Sequence, residues 1–332
     1  MKKIDIRYWA GAAVFIGMGL FLYIQFLSPG RAAGDGSNKS IYDLKHGSGA
    51  YTVASDLEKK GLIRSADYFK LYMRLTGMQD ELKAGSYELN DGMSTETIAS
   101  VLTEGKVRMM QFTIPEGWHN RQIAELMVEK GFAKNAEEFL KLTHDPAILK
   151  KYNIPADSTE GYLFPETYTI SYGYPLAKIH EAMLERFFDE LSKAEPPENL
   201  SPKELHKRVI LASIIEREAA RKDELPEMSR VFLNRLDKGM RLESCATIQY
   251  LLPKPREKLY EKDLKIPSPY NTYEHGGLPP GPISNPGLPA LKAAFHPTEG
   301  DFLFFVLKPD GSHYFSKTFQ EHVKAKHKYL GS

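Results

Sequence analysis

Cysteine is almost missing from this chain of 332 residues. Cys245 stands alone, so no intramolecular disulfide can form. No Cys/His spacing suits a zinc site, and neither a metal nor a cofactor is expected. A dominant charge is missing too. The 44 Lys and Arg face 43 Asp and Glu, a net charge of +1 with both signs interspersed. That balance gives no electrostatic case for a nucleic-acid partner.

What is present begins with a long apolar run. Residues 8–27 carry no charge and only Gln25 as a strongly polar interruption. At about 1.5 Å per residue the run matches a hydrocarbon core of about 30 Å. Lys2, Lys3 and Arg7 precede it, so residues 1–7 are expected to stay cytoplasmic and the rest to lie outside the membrane. Tyr8 and Trp9 sit where an interfacial anchor belongs. The alternative is a cleaved signal with processing at Ala33, which would give a secreted hydrolase. The run is long for that role, and Arg31 would occupy position −3. Residues 28–40, rich in Gly and Ser, form a flexible tether. The remaining ~290 residues leave room for two cores.

A short unit recurs beyond the tether. Val53-Ala54 is followed by Gly61, Ala66 and Phe69, and Ile123-Ala124 at the same offsets by Gly131, Ala136 and Phe139. A shorter copy pairs Ile98-Ala99 with Gly105. Each predicts an amphipathic helix closed by a glycine. Ser86-Tyr-Glu-Leu89 and residues 109–114 are the neighbouring strand candidates. Thr113-Ile-Pro-Glu-Gly117 leading into Ile123-Ala124 resembles the opening of a LysM module, a small binder of sugar polymers. A purely structural arm of packed helices is the competing reading.

The most apolar helical stretch carries an acid. Ser201 as N-cap, Pro202 at the first helical position and Glu204 completing a capping box open the helix. Leu205, Val209, Ala212, Glu216 and Ala219 then fall on one stripe. Desolvation there disfavours the charged carboxylate and raises its pKa toward that of a general acid. Leu211 and Ile214 define a second stripe containing Glu218, so periodicity does not choose between the two acids. Pairing with Arg217, Arg221, Arg230 or Arg235 would make either one structural.

Three later segments concentrate tyrosine, proline and neutral polar groups: Glu160-Gly-Tyr-Leu-Phe-Pro-Glu-Thr-Tyr168, Cys245-Ala-Thr-Ile-Gln-Tyr250, and Pro269-Tyr-Asn-Thr-Tyr273 with the Gly/Pro-rich residues 276–286. The last excludes helix and strand interiors and predicts a rigid loop. Flat rings with neutral hydrogen-bonding groups suit a sugar chain, although tyrosines of this kind also serve as core residues with a tethered hydroxyl.

In order along the chain, these segments resemble the YceG-like family, endolytic murein transglycosylases anchored in the bacterial cytoplasmic membrane. The resemblance is carried by Thr113-Ile-Pro-Glu-Gly117, Glu160-Gly-Tyr-Leu-Phe-Pro165, Leu211-Ala-Ser-Ile-Ile-Glu-Arg-Glu218, Val231-Phe-Leu-Asn-Arg-Leu236, Tyr270-Asn-Thr-Tyr273, Gly277-Leu-Pro-Pro-Gly281-Pro-Ile283 and Ala293-Ala-Phe-His-Pro297. It implies that Glu216, the first acid of its segment, is catalytic. Before Thr247, where some relatives place Asp-Pro, this chain has Cys245-Ala246, to which no chemistry is assigned. The resemblance further implies cleavage between N-acetylmuramic acid and N-acetylglucosamine within peptidoglycan strands, leaving 1,6-anhydro ends, and partnership with peptidoglycan synthases. Glu166, Gln249, Asn271 and Tyr273 are candidates for orienting sugars. A membrane-tethered glycan-binding scaffold that cuts nothing is the alternative.

The expected fold is α+β: a transmembrane helix over 8–27, a LysM-like subdomain over 41–110, and a catalytic domain over 111–332. In that domain helices dominate from residue 135 to 239. One of them runs over 226–236, loop and strand follow, and a hairpin of residues 301–307 and 313–316 precedes a closing helix over 318–330.

Overall fold

Helix ends in the computed structural model, which describes residues 15–23 and 28–331, fall largely where capping residues put them. The first of two units comprises residues 1–110 and 169–174. Strand β1 (Lys39–Leu44) and helices α1 (Ala50–Lys59) and α2 (Ala66–Thr76) lead to β2 (Gly85–Asn90) and α3 (Thr95–Glu104). β1 and β2 pair antiparallel from Lys39 opposite Asn90 to Leu44 opposite Gly85. The recurring apolar-Ala pairs supply the core: Val53, Ala54, Ile98 and Ala99 are buried with Leu57, Phe69, Met73, Tyr87 and Leu102. Gly77 and Gly105 close α2 and α3 in the left-handed region.

The second unit comprises residues 111–168 and 175–332. The second copy of the recurring unit forms α4 (Asn120–Glu129) and α5 (Ala136–Thr143), followed by α6 (Pro146–Lys151). After α7 (Leu176–Leu191) comes α8 (Pro202–Glu218), opened by the Ser201–Glu204 capping box. α8 is the centre of this unit, buried from Val209 through Ile215, and it packs on α9 (Leu225–Asp237), α10 (Cys245–Leu251) and α11 (Leu288–Phe295). The antiparallel hairpin of β5 (Phe304–Leu307) and β6 (His313–Ser316) and helix α12 (Phe319–Leu330) complete it. β3 (Met109–Thr113) and β4 (Thr167–Ser171) form a two-stranded sheet.

Helices with two-stranded sheets give the expected mixed architecture, with several local corrections. β4 lies in a stretch expected to be helical; its Thr-Tyr-Thr-Ile run favours the extended pleat. α10 and α11 occupy a region expected to hold only loop and strand. β1 begins inside the expected tether, and β5 spans only Phe304–Leu307, shorter than residues 301–307. α8 stops at Glu218, and Ala219, the last member of the apolar stripe, is extended with ψ 124°. Of the expected membrane span, residues 8–14 and 24–27 lie outside the described residues. Among the described residues no helix is long and apolar enough to cross a membrane.

One glycine fixes how the loop after Glu160 meets α8. Gly161 has φ +87°, and a Cβ there would come within 2.5 Å of Pro282 Cγ and 2.9 Å of Val209 Cγ1. Gly161→Ala therefore combines backbone strain with overpacking against a buried helix. It should destabilise by more than about 3 kcal/mol. Loss of the exposed cap in Ser201→Ala should cost about 1 kcal/mol. Denaturant melts of the two variants beside wild type check this order, and a Gly161→Ala midpoint equal to that of Ser201→Ala would refute it.

Candidate active site

The site is built on the last turn of α8 and the loop laid across it. Ser213, fully buried, accepts a hydrogen bond at Oγ from Ile283 N at 3.0 Å, and its carbonyl accepts one from Ser284 Oγ at 3.1 Å. These bonds clamp residues 283–284 one turn before the acid. Asn285, also fully buried, continues the clamp. Its N–H donates to Trp118 O at 2.7 Å, its carbonyl accepts from Gly117 N at 3.0 Å, and its Oδ1 accepts from Leu163 N at 2.8 Å. Its Nδ2 donates to Trp118 O at 3.0 Å and approaches Glu160 Oε1 at 3.4 Å. Three separated motifs are thus drawn together at one amide.

Two residues further on, Gly287 N donates to Glu216 Oε2 at 2.9 Å. Glu216 is half-buried, and its Oε1 has no hydrogen-bond partner among the described residues. Burial pushes its carboxyl above the ordinary range; the Gly287 N–H opposes this, and the nearby Glu116 carboxylate adds to it. The C-terminal end of the α8 dipole acts in the same direction as Glu116. Glu116 in turn forms an ion pair with Lys222. Arg217, the next residue, turns its guanidinium to Gly117 O at 3.3 Å, and no ion pair among the described residues includes Glu216. Gly117, at φ +77°, passes so close that a Cβ there would press on Arg217 Cδ and touch Glu216 Cγ.

Glu218 has a different task. Its Oε1 accepts from Ser244 Oγ and from Ala246 N at 3.0 Å, so it caps the start of α10. A carboxylate supplied by another helix replaces the missing local cap, which is why α10 carried no signal of its own. The geometry distinguishes the two acids: Glu218 is engaged by two donors and Glu216 presents an open oxygen.

The four candidates for sugar contacts are dispersed. Glu166 is held by Arg186, whose Nη2 donates to its Oε1 at 2.9 Å and whose Nε lies 2.6 Å from its Oε2. Gln249 grips both backbone groups of Arg256, at 2.7 and 2.9 Å. Asn271 is fully buried, donating to Leu264 O and Ile266 O and accepting from Tyr273 N. It shapes its loop and has no surface for a ligand, a correction to the expectation of direct contact. Tyr273 lies beside Cys245, with its hydroxyl 3.0 Å from Sγ.

Two features escaped the sequence reading. Ser213 and Asn285 position Glu216 through contacts 70 or more residues apart in sequence, which no local pattern reveals. The second is an additional acid, Glu160. It is 6 % exposed, with both oxygens accepting from Asn120 N, at 3.0 and 3.1 Å. Desolvation raises its pKa to about 8 against the pull of that N–H and of Arg121. The Glu-Gly start of its motif was visible, but its burial was not. Among the described residues no cluster of His, Cys, Asp and Glu could hold a metal ion.

Comparison with known proteins fits this arrangement. The model of the YceG-like family matches residues 42–328. A Bacillus subtilis protein named endolytic murein transglycosylase is 35% identical over 95% of this chain and 91% of its own length. A Streptococcus pneumoniae protein of the same name is 30% identical over 97% of this chain and 64% of its own length. The crystal structure of a yceG-like protein from Listeria monocytogenes superimposes with a TM-score of 0.57 at 34% identity, covering 87% of this chain and 99% of that one. The chain belongs to the YceG-like family.

Proposed function

We propose that this protein is a membrane-anchored lytic transglycosylase that cuts peptidoglycan strands internally, with Glu216 as its one acid–base group. The carrying observation is the state of that carboxyl: half-buried, free of any ion pair, held at Oε2 by Gly287 N and open at Oε1. The names of the relatives supply the reaction class.

In the mechanism, protonated Glu216 gives its proton to the glycosidic oxygen between N-acetylmuramic acid and N-acetylglucosamine. The C1–O bond breaks and the N-acetylglucosamine side leaves as an alcohol. The Glu216 carboxylate then takes the proton from the muramoyl C6 hydroxyl as that oxygen bonds to C1. A 1,6-anhydro ring forms, Glu216 regains its proton, and no water is consumed. Holding the C6 oxygen against C1 supplies the proximity that a bound water would otherwise need. This differs from the two-carboxylate arrangement of most glycosidases. The surroundings serve both stages. Burial and Glu116 favour the acid before transfer, and the Gly287 N–H, Lys222 and Arg217 stabilise the carboxylate after it.

The anchor reading rests on residues 8–27, whose described part from 15 to 23 presents exposed apolar side chains, Phe15 and Ile16 among them. The β-α-α-β order of the first unit supports its reading as a LysM-like glycan-binding module. Partnership with peptidoglycan synthases belongs to the same proposal.

Glu216→Gln should remain folded and lose nearly all cleavage of purified sacculi. Wild type should release fragments whose muramoyl ends are lighter by one water than hydrolysis gives, read by mass spectrometry. Wild-type rates from Glu216→Gln, or ordinary reducing ends, would refute the mechanism. The pH profile carries a further expectation. The acid form of Glu216 is the donor, so activity falls as pH rises through its raised pKa. Glu116→Gln removes a like charge and frees Lys222, and both changes favour the carboxylate. The alkaline limb should move to lower pH, and an unmoved limb would show that Glu116 does not act on Glu216.

A further inference from the structure

Beside the Glu216 site, the second unit contains a cavity of about 610 Å³ that the mechanism above does not use. It is lined by Glu160, by Asn120 at the start of α4, by Tyr250 and Tyr270, and by Leu140 and Lys141 of α5. The tyrosine rings stand 5.3 Å apart at 42°, and Tyr250 favours the charged form of the Glu160 carboxyl. The lining is mostly apolar with a few convergent polar groups, and the volume lies in the range of small-ligand sites.

We propose that this cavity is a second saccharide subsite, taking an uncharged N-acetylated sugar ring, with Glu160 as the buried group that hydrogen-bonds it. The proposal rests on the glycan-cleaving reading for its biological substrate and on the cavity itself for its chemistry.

Arg121 lines the cavity as well; its Nη2 donates to Tyr250 O, and its guanidinium lies 5.3 Å from the centre of the Tyr250 ring. Glu137 and Lys141 of α5, and His144 just after it, line the cavity on exposed side chains, where solvent screens them. The two aromatic faces suit the apolar face of a pyranose. Glu160 lies almost out of water beside the start of α4, and burial pushes its carboxyl up to about 8, which favours the protonated form at neutral pH. A neutral carboxyl can donate to an acetamido carbonyl or a hydroxyl, which a carboxylate cannot.

Position links the cavity to the reaction. Asn120 lies three residues after Gly117, and the amide that approaches Glu160 belongs to Asn285, two residues before Gly287. His119 feels arginines of both places: its pKa falls to about 4 through burial first, then through the charges of Arg121 and Arg217. A ring in the cavity would therefore hold the strand against the same two segments that set Glu216.

The test uses the full-length protein in detergent and an uncharged β-1,4-linked trimer of N-acetylglucosamine, titrated by calorimetry. Leu140→Trp fills the cavity and should weaken binding by at least about tenfold. Wild-type affinity should fall by about tenfold per pH unit above pH 8, as the protonated fraction of Glu160 falls. Glu160→Gln, which keeps an uncharged donor, should bind at pH 7 and show a flat profile from pH 7 to 9. If Leu140→Trp fails to fold, the contrast between Glu160→Gln and wild type still decides. Absence of wild-type binding, equal binding by Leu140→Trp, or the same pH slope in both proteins would overturn the proposal. Cleavage of sacculi is measured separately. Cleavage without cavity-dependent binding removes the subsite alone, and cavity-dependent binding without cleavage removes the enzymatic reading alone.

Discussion

The clamp of residues 283–287 onto α8 is the constraint on which the rest of the site depends. Ser213, Ser284 and Asn285 are all fully buried, and the polar groups they bring with them have partners: backbone and side chain of 283–285 bond to α8, to residues 117–118 and to Leu163. Orphaning any one of these buried groups would cost about 1–3 kcal/mol, so the network is held as a unit. Its consequence for chemistry is a single backbone N–H. Gly287 meets Glu216 Oε2 because the two preceding residues are already fixed, and the acid needs no ion pair to be held in place. A guanidinium in that role would have drawn the carboxyl down and abolished its use as a donor.

Charge around Glu216 is balanced on the same principle. Glu116 and Lys222 neutralise each other as an ion pair at the edge of the site, yet both still act on Glu216, in opposite directions. Arg217 is adjacent in sequence and would be the natural partner of the acid. Its guanidinium is diverted to Gly117 O, a carbonyl made accessible by the left-handed backbone of Gly117. The Pro-Glu-Gly turn therefore serves Glu216 twice, by contributing a like charge and by occupying a cation.

How far the sequence reveals this depends on how local each cause is. The α8 cap, Ser201 with Glu204, is complete within four residues and was legible outright, as was the glycine stop of α3 at Gly105. Periodicity left the proposed acid as one of a pair, since a helix buried on most faces gives Glu216 and Glu218 similar neighbours, and only the family resemblance pointed to Glu216. What separates them is Ser244 and Ala246, brought to Glu218 from the next helix but one. The same long-range contact hid α10, whose cap is that carboxylate. Two of the sugar-contact candidates have a structural task for a related reason. Tyr, Asn and Gln in a Pro-rich loop suit a glycan, but they equally suit a loop that must satisfy its own backbone, and Asn271 and Gln249 do the latter.

Two acids in this unit have raised pKa values, and geometry divides their roles more sharply than titration does. Glu160 is the more deeply buried, and by pKa alone it would be the better-protonated donor at neutral pH. Both of its oxygens, however, face Asn120 N, and the Tyr250 hydroxyl crowds the same carboxyl. A group so engaged can hold a ligand but cannot readily turn to a leaving oxygen and then to an attacking hydroxyl. Glu216 has one oxygen fixed and one open, on a helix end that stops two residues later. In the proposed mechanism a proton leaves and returns on the same carboxyl, and that asymmetry suits it, because the fixed oxygen would set the angle and the open one would make the exchange. Partial burial serves the same proposal: it raises the carboxyl above its ordinary range and still leaves one oxygen open.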